Sequence, residues 1–289
     1  MTSLGGLVAL SLLASKGKVS ALQCLLAADA SQVIESEGHL SAVNVVCNRS
    51  DGVEAVRFAL RLLTSLFAPA ISDDCWPAVD KSVELILSSD PDHVCDCLKL
   101  LIASAHSVSS KKKLLESNES GLGAKLSSML LGETSALSVE LLTALVPHLP
   151  VESASSCLTN FLSVLTFPTA GPDSTNSVLT SLHHLPLTAD LLPSVIASVT
   201  PHLKSPATIS SASFLLLNLE IPQPSTSSIA ECLLAVLEAK QTLTDDAVTL
   251  LCKLTRDEEI KNQFREQIGG FVEGIEGRGG DILRGRFKE

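Results

Sequence analysis

The chain has 289 residues, a net charge of −11, 45% hydrophobic residues and 3% aromatic residues, with no tyrosine. That length suits one large domain or two smaller ones. The acidic balance lacks the basic background of nucleic-acid binders and disfavours anionic membrane surfaces, and a core rich in Leu, Val and Ala suits stacked helices better than a β-sandwich.

Residues 4–14 are apolar and are followed by Lys16 and Lys18. Lysines stand where a small neutral cleavage region belongs, so the run predicts a first repeat helix rather than a signal peptide. It is too short to cross a bilayer.

Residues 38–67 predict two helices and a turn. Val53, Val56, Leu60, Leu63 and Phe67 recur at intervals of three and four, which places them on one helical face. Asp51 stands at the N-cap with Glu54 three residues on, the pattern of a capping box. Arg57 and Arg61 fall away from the apolar stripe. One such hairpin cannot bury its own face and needs neighbours.

The neighbours follow in order. Val83 to Leu87, the turn at Asp90, Pro91 and Asp92, then Val94, Leu98, Leu101 and Ala105 form the next unit. Lys111, Lys112 and Lys113 predict a solvated helix start. Residues 122–131, a break at Gly132, and Leu137, Leu141, Leu142, Leu145 and Leu149 form a third; residues 157–167 with 178–185, 191–199 with 209–219, and 229–237 with 247–254 complete the series. The long helices recur roughly every 32–43 residues, a spacing of helical repeat arrays. Residues 168–175 and 221–228 read as breaks, and Gly277, Gly279 and Gly280 as loosening the end of the chain.

Gly38, His39 and Leu40, then Ala42, Val43, Val45, Val46, Val53 and residues 59–66, look like an armadillo repeat, and residues 247–270 like the end of one repeat and the start of another. The same apolar pattern is shared with HEAT repeats. The resemblance implies an all-α fold: a right-handed α-solenoid of about six to seven armadillo/HEAT-like repeats. Residues 1–289 are then a single domain, with a hinge near 168–175 and a frayed tail over 276–289. Peptide-binding armadillo proteins of the importin-alpha and catenin type carry an Asn ladder. Here Asn218 alone matches, with Ser65 and Lys253 at equivalent places, and the one tryptophan, Trp76, lies outside the long helices, so nuclear-signal binding is not implied. In armadillo folds the long third helix of each repeat lines a groove. The outward residues Arg57, Arg61, Asp96, Lys99, Glu140 and Asn218 are the partner-binding candidates that this implies.

The chemistry-bearing residues form no constellation. His93 and Cys97 share a helix face and Cys95 does not, too few ligands for a structural zinc, so a buried Cys97 beside a solvent-edge His93 is expected. His183 and His184 suit a helix C-terminus, and the pairs Asp73/Asp74, Asp245/Asp246 and Glu258/Glu259 suit helix starts, where charge answers the dipole. No phosphate loop, G-x-S-x-G or H-E-x-x-H occurs. Eight cysteines without a CxxC pair, most within apolar runs, point to a reducing compartment, the cytoplasm or nucleus. The expected function is a non-catalytic scaffold or adaptor that binds other proteins, with basic or extended segments as partners and without cofactor, metal, nucleic acid or membrane insertion. Armadillo co-chaperones, the UCS myosin chaperones and the exchange factors of heat-shock chaperones, are similar in kind. An enzyme on a helical fold is the rival from another class, and a secreted chain glycosylated at Asn48 and Asn118 a third.

Overall fold

Apolar residues three and four apart, broken by Gly, Pro and Ser, produce helix after helix. The computed structural model describes residues 4–48, 52–66, 73–88, 91–116, 121–130, 132–149, 151–167, 171–185, 187–239, 243–263, 265 and 277–287. Among these residues the fold is all-α, with eighteen α-helices, three short 3-10 helices and no strand. The chain divides into two compact units, residues 1–157 and 158–289.

The first unit contains α1 (Leu4–Ala14), α2 (Val19–Leu26), α3 (Ala30–Glu35), α4 (Gly38–Asn48), α5 (Val53–Leu66), α6 (Trp76–Leu87), α7 (Val94–Ser104), α8 (Val108–Glu116), α9 (Gly121–Ser128) and α10 (Ser135–Leu145). The pairs α1/α2, α4/α5, α6/α7 and α9/α10 are hairpins. Their first helices stack as a leading row, α1 on α4 on α6 on α9, and their second helices as a trailing row, α2 on α5 on α7 on α10. A short helix precedes three of the pairs: α3, the 3-10 turn Asp73–Cys75, and α8. The α3–α4 corner is tight. Glu37 adopts φ +58°, and a Cβ on Gly38 would lie 2.9 Å from Val33 Cγ1, so any larger residue there requires Val33 to shift.

The boundary falls within α11 (Val151–Thr166). The second unit then contains α12 (Pro172–Leu182), α13 (Leu192–Val199), α14 (Ile209–Leu217), α15 (Gln223–Glu238), α16 (Asp245–Leu254), α17 (Glu258–Gln263) and α18 (Gly277–Phe287). Its trailing row is α12, α14, α16 and α18. Its leading row is α13 with its 3-10 extension Thr200–Lys204, then α15, then α17.

Burial follows the stripes. On α5, Ala55, Val56, Ala59, Leu60, Leu62, Leu63 and Leu66 are buried, each large side chain contributing about 1.5–3 kcal/mol. Side-chain hydrogen bonds between repeats join residues about one repeat apart: Arg61 to Asp96 over 35 residues, His202 and Leu165 over 37, Ser210 to Asp246 over 36, and Lys253 to Leu217 over 36. Nearest-neighbour contact of this kind is what repeat stacking produces.

Several details differ from the sequence expectations. Val53 is 44% exposed, outside the buried stripe, while Asp51 and Phe67 lie outside the described residues. Trp76 opens α6, a leading helix, and so lies outside the trailing helices; Lys113, expected at a solvated helix start, lies in the last turn of α8 with its ammonium 4.2 Å from the Trp76 ring centre. α15 begins at Gln223, not after 228, because Pro224 occupies the first turn, where a missing N–H costs nothing. Gly277–Phe287 is helical where a loosened tail was expected. Of the expected hinge at 168–175, residues 168–170 lie outside the described residues.

Candidate interaction surface

A helix stacked between two neighbours and backed by its hairpin partner keeps only a narrow strip in water. In α5, α7 and α10 the strip centres on one residue between two buried pairs: Arg61 between Ala59/Leu60 and Leu62/Leu63, Lys99 between Cys97/Leu98 and Leu100/Leu101, and Glu140 between Ser138/Val139 and Leu141/Leu142. The second unit repeats the pattern. Thr180, Phe214 and Thr249 hold the same place on α12, α14 and α16, each between buried pairs. Leading helices share the geometry but answer their own strips: Asn44 accepts from Asn48 on α4, and Glu84 pairs with Lys81 on α6.

Three of the predicted residues converge. Arg61 Nε donates to Asp96 Oδ1 at 3.1 Å, Arg57 Nε lies 3.6 Å from Asp96 Oδ2, and Arg57 Nη2 donates to the Asp92 carbonyl at 3.2 Å. The arginines remain 41% and 48% exposed, whereas the Asp96 side chain is 7% exposed, so it faces α5 and not solvent. Arg61 also stands 5.8 Å over the half-buried Phe58 ring. Lys99 and Glu140 are exposed, with no ion-pair partner among the described residues. Asn218 is set apart: it follows α14, and its Nδ2 donates to the Phe214 carbonyl at 2.8 Å.

Sequence reasoning missed Phe214, which is 48% exposed with the His183 ring 5.3 Å away and His184 edge-on to His183. The only signal in the sequence was the apolar pair Leu215/Leu216 after it, because the buried pair before it is Ala212 and the polar Ser213. Beside this strip, Lys253 reaches back from α16 and donates to the carbonyls of Leu217 and Leu219 at 2.9 and 2.8 Å, which caps the C-terminus of α14. Burial, then Arg256, pushes the Lys253 pKa down, against Glu220.

His93 stands at the N-cap of α7 and is 2% exposed, not at the solvent edge; its Nδ1 has no hydrogen-bond partner among the described residues. Cys97 is buried and Cys95 exposed. No cluster of three or more metal-ligating side chains occurs among the described residues, and no helix among them is long and apolar enough to cross a membrane.

No protein-family model matches the chain, and no curated protein sequence matches it. Solved structures do. The crystal structure of one engineered protein, a structural-genomics target, is similar over 99% of this chain and 79% of that chain, with a TM-score of 0.69 at 14% identity. Two further engineered proteins are similar with TM-scores of 0.50: one at 15% identity over 82% of this chain and 97% of that one, the other at 16% over 74% and 90%. At such identities the likeness shows the fold alone. The chain is an all-helical repeat protein built from sequential helix pairs.

Proposed function

We propose that the chain is a non-catalytic scaffold of armadillo-like build, located in the cytoplasm, that binds partner proteins through its trailing helices. The observation that carries this is made in each unit by itself: solvent-facing side chains at equivalent places in the trailing helices, Arg61, Lys99 and Glu140 in the first unit and Thr180, Phe214 and Thr249 in the second. A repeat array presents such strips as an extended docking surface, and an exposed aromatic among small polar neighbours has the character of a binding hot spot. The short helices before three hairpins of the first unit support the three-helix armadillo reading there. All eight cysteines are free thiols, which suits a reducing compartment.

Affinity capture with four baits tests this: the wild type, Lys99→Glu, Phe214→Ala and the leading-row control Glu84→Ala. Arg57 and Arg61 are poor choices, because both hold Asp96. A protein retained by the wild type and the control, and lost from Lys99→Glu or Phe214→Ala, is the expected result. Truncating a hot-spot aromatic costs about 2 kcal/mol of binding, enough to clear such a bait. Identical retained sets on all four baits would overturn the proposal.

A further inference from the structure

The leading row of the second unit contains a feature that partner binding on the trailing row does not use. Pro201 has no N–H to offer the Ala197 carbonyl four residues back, so α13 tightens into the 3-10 turn Thr200–Lys204. That turn packs against α15 and leaves an open cleft of about 420 Å³ between them. The volume is in the range of small-molecule sites.

The cleft has two unlike sides. Pro193, Ala197 and Pro201 supply apolar surface, while Lys204, Ser225 and Ser228 supply donors. Most hydroxyls nearby are occupied: Thr200 Oγ1 donates to the Ile196 carbonyl at 2.7 Å, Thr226 Oγ1 to the Gln223 carbonyl at 2.6 Å, and Ser227 Oγ to Gln263 Oε1 at 3.3 Å. Ser225 and Ser228 make no such bond among the described residues, Lys204 has no ion pair among them, and no carboxylate lines the cleft. A cation and two open hydroxyls beside an apolar wall are the complement of an amphiphilic anion. Charge-assisted bonds of this kind are about twice as strong as neutral ones.

We propose that this cleft binds a small organic anion, with its carboxylate or phosphate head on Lys204, Ser225 and Ser228 and its short carbon chain on Pro193, Ala197 and Pro201. Cys232, buried at the edge of the cleft, reports on occupancy. Cys24 and Cys95 are exposed elsewhere and serve as internal controls.

The full chain is titrated with octanoate, octyl phosphate, the neutral octanol and the head group acetate. Thermal melting and site-resolved alkylation of the cysteines by mass spectrometry are the readouts. Octanoate or octyl phosphate is expected to raise the melting temperature and slow alkylation at Cys232 but not at Cys24 or Cys95, with octanol and acetate without effect. Which of the two binds tighter identifies the head group. Lys204→Met, an exposed substitution, is expected to weaken binding about tenfold or more. Ala197→Phe, which fills the cleft from the apolar side, is expected to abolish it while leaving Lys204 in place. The proposal is overturned if octanol matches octanoate, if Lys204→Met binds as the wild type does, or if neither anion protects Cys232.

Discussion

Asp96 reaches solvent only at its edge, between two arginines that belong to the preceding hairpin. The two sides of this triad are unequal. Removing the carboxylate with Asp96→Ala leaves two half-exposed guanidinium groups that water can solvate, a cost of about 1 kcal/mol. Removing both arginines leaves a buried carboxylate unanswered, at about 3 kcal/mol. Urea denaturation of Asp96→Ala and of Arg57→Ala/Arg61→Ala measures the difference; equal costs would contradict this arrangement. His39 supplies a pH dependence. Burial lowers its pKa from 6.5, against the pull of Asp74 and Glu37. In the window just below 6.5 the unfolded chain therefore binds more protons than the folded one, and stability falls as pH drops through it. His148, lowered by burial and then by Lys111 and Lys112, acts in the same direction. The His39→Asn/His148→Asn variant is expected to lose less stability than the wild type between about pH 7 and pH 5; an unchanged slope would count against it. At this scale the apolar spacing alone made Arg61, Lys99 and Glu140 legible as outward residues. The burial of Asp96 was not legible, because its partner stands 35 residues away. The burial of His93 depends likewise on packing that its neighbours in sequence do not encode.

Each helix is placed by a few local choices. Gly38→Ala forces a methyl against Val33 at the α3–α4 corner, and a loss of about 1–3 kcal/mol is expected from overpacking. Calorimetry would show whether the corner yields instead, which would appear as no loss. Lys253→Met removes two hydrogen bonds from the end of α14, and a cost of about 1–2 kcal/mol is expected. Hydrogen exchange should quicken in the last turn of α14; unchanged protection there would mean that water caps those carbonyls equally well. The hairpins α4/α5, α6/α7 and α9/α10 were readable because the apolar period is strong and the breaks carry Gly or Pro, whereas α2 and α3 were not read. The second unit was harder. Pro224 falls in the stretch 221–228 that reads as a break, yet it occupies the first turn of α15, where the missing N–H is tolerated.

Within each unit, hydrogen bonds between repeats tie neighbouring hairpins together, α5 to the α7 segment in the first and α14 to α16 in the second. Similarity to engineered proteins at 14% identity means that the fold rests on the pattern of buried positions and not on particular residues. That is why the repeat architecture was legible, and why the division within α11 was not: no Pro or Gly interrupts residues 151–166. It is also why function must be sought on the strips, where the fold leaves residues free. The most direct test places a photo-cross-linking side chain at Lys99, Glu140 or Phe214, and at Asp80 on the leading helix α6 as control. Cross-linked products from cells are then compared. The proposed surface predicts adducts from at least one trailing position and none from Asp80. Adducts from Asp80 alone, or equally from every position, would contradict it.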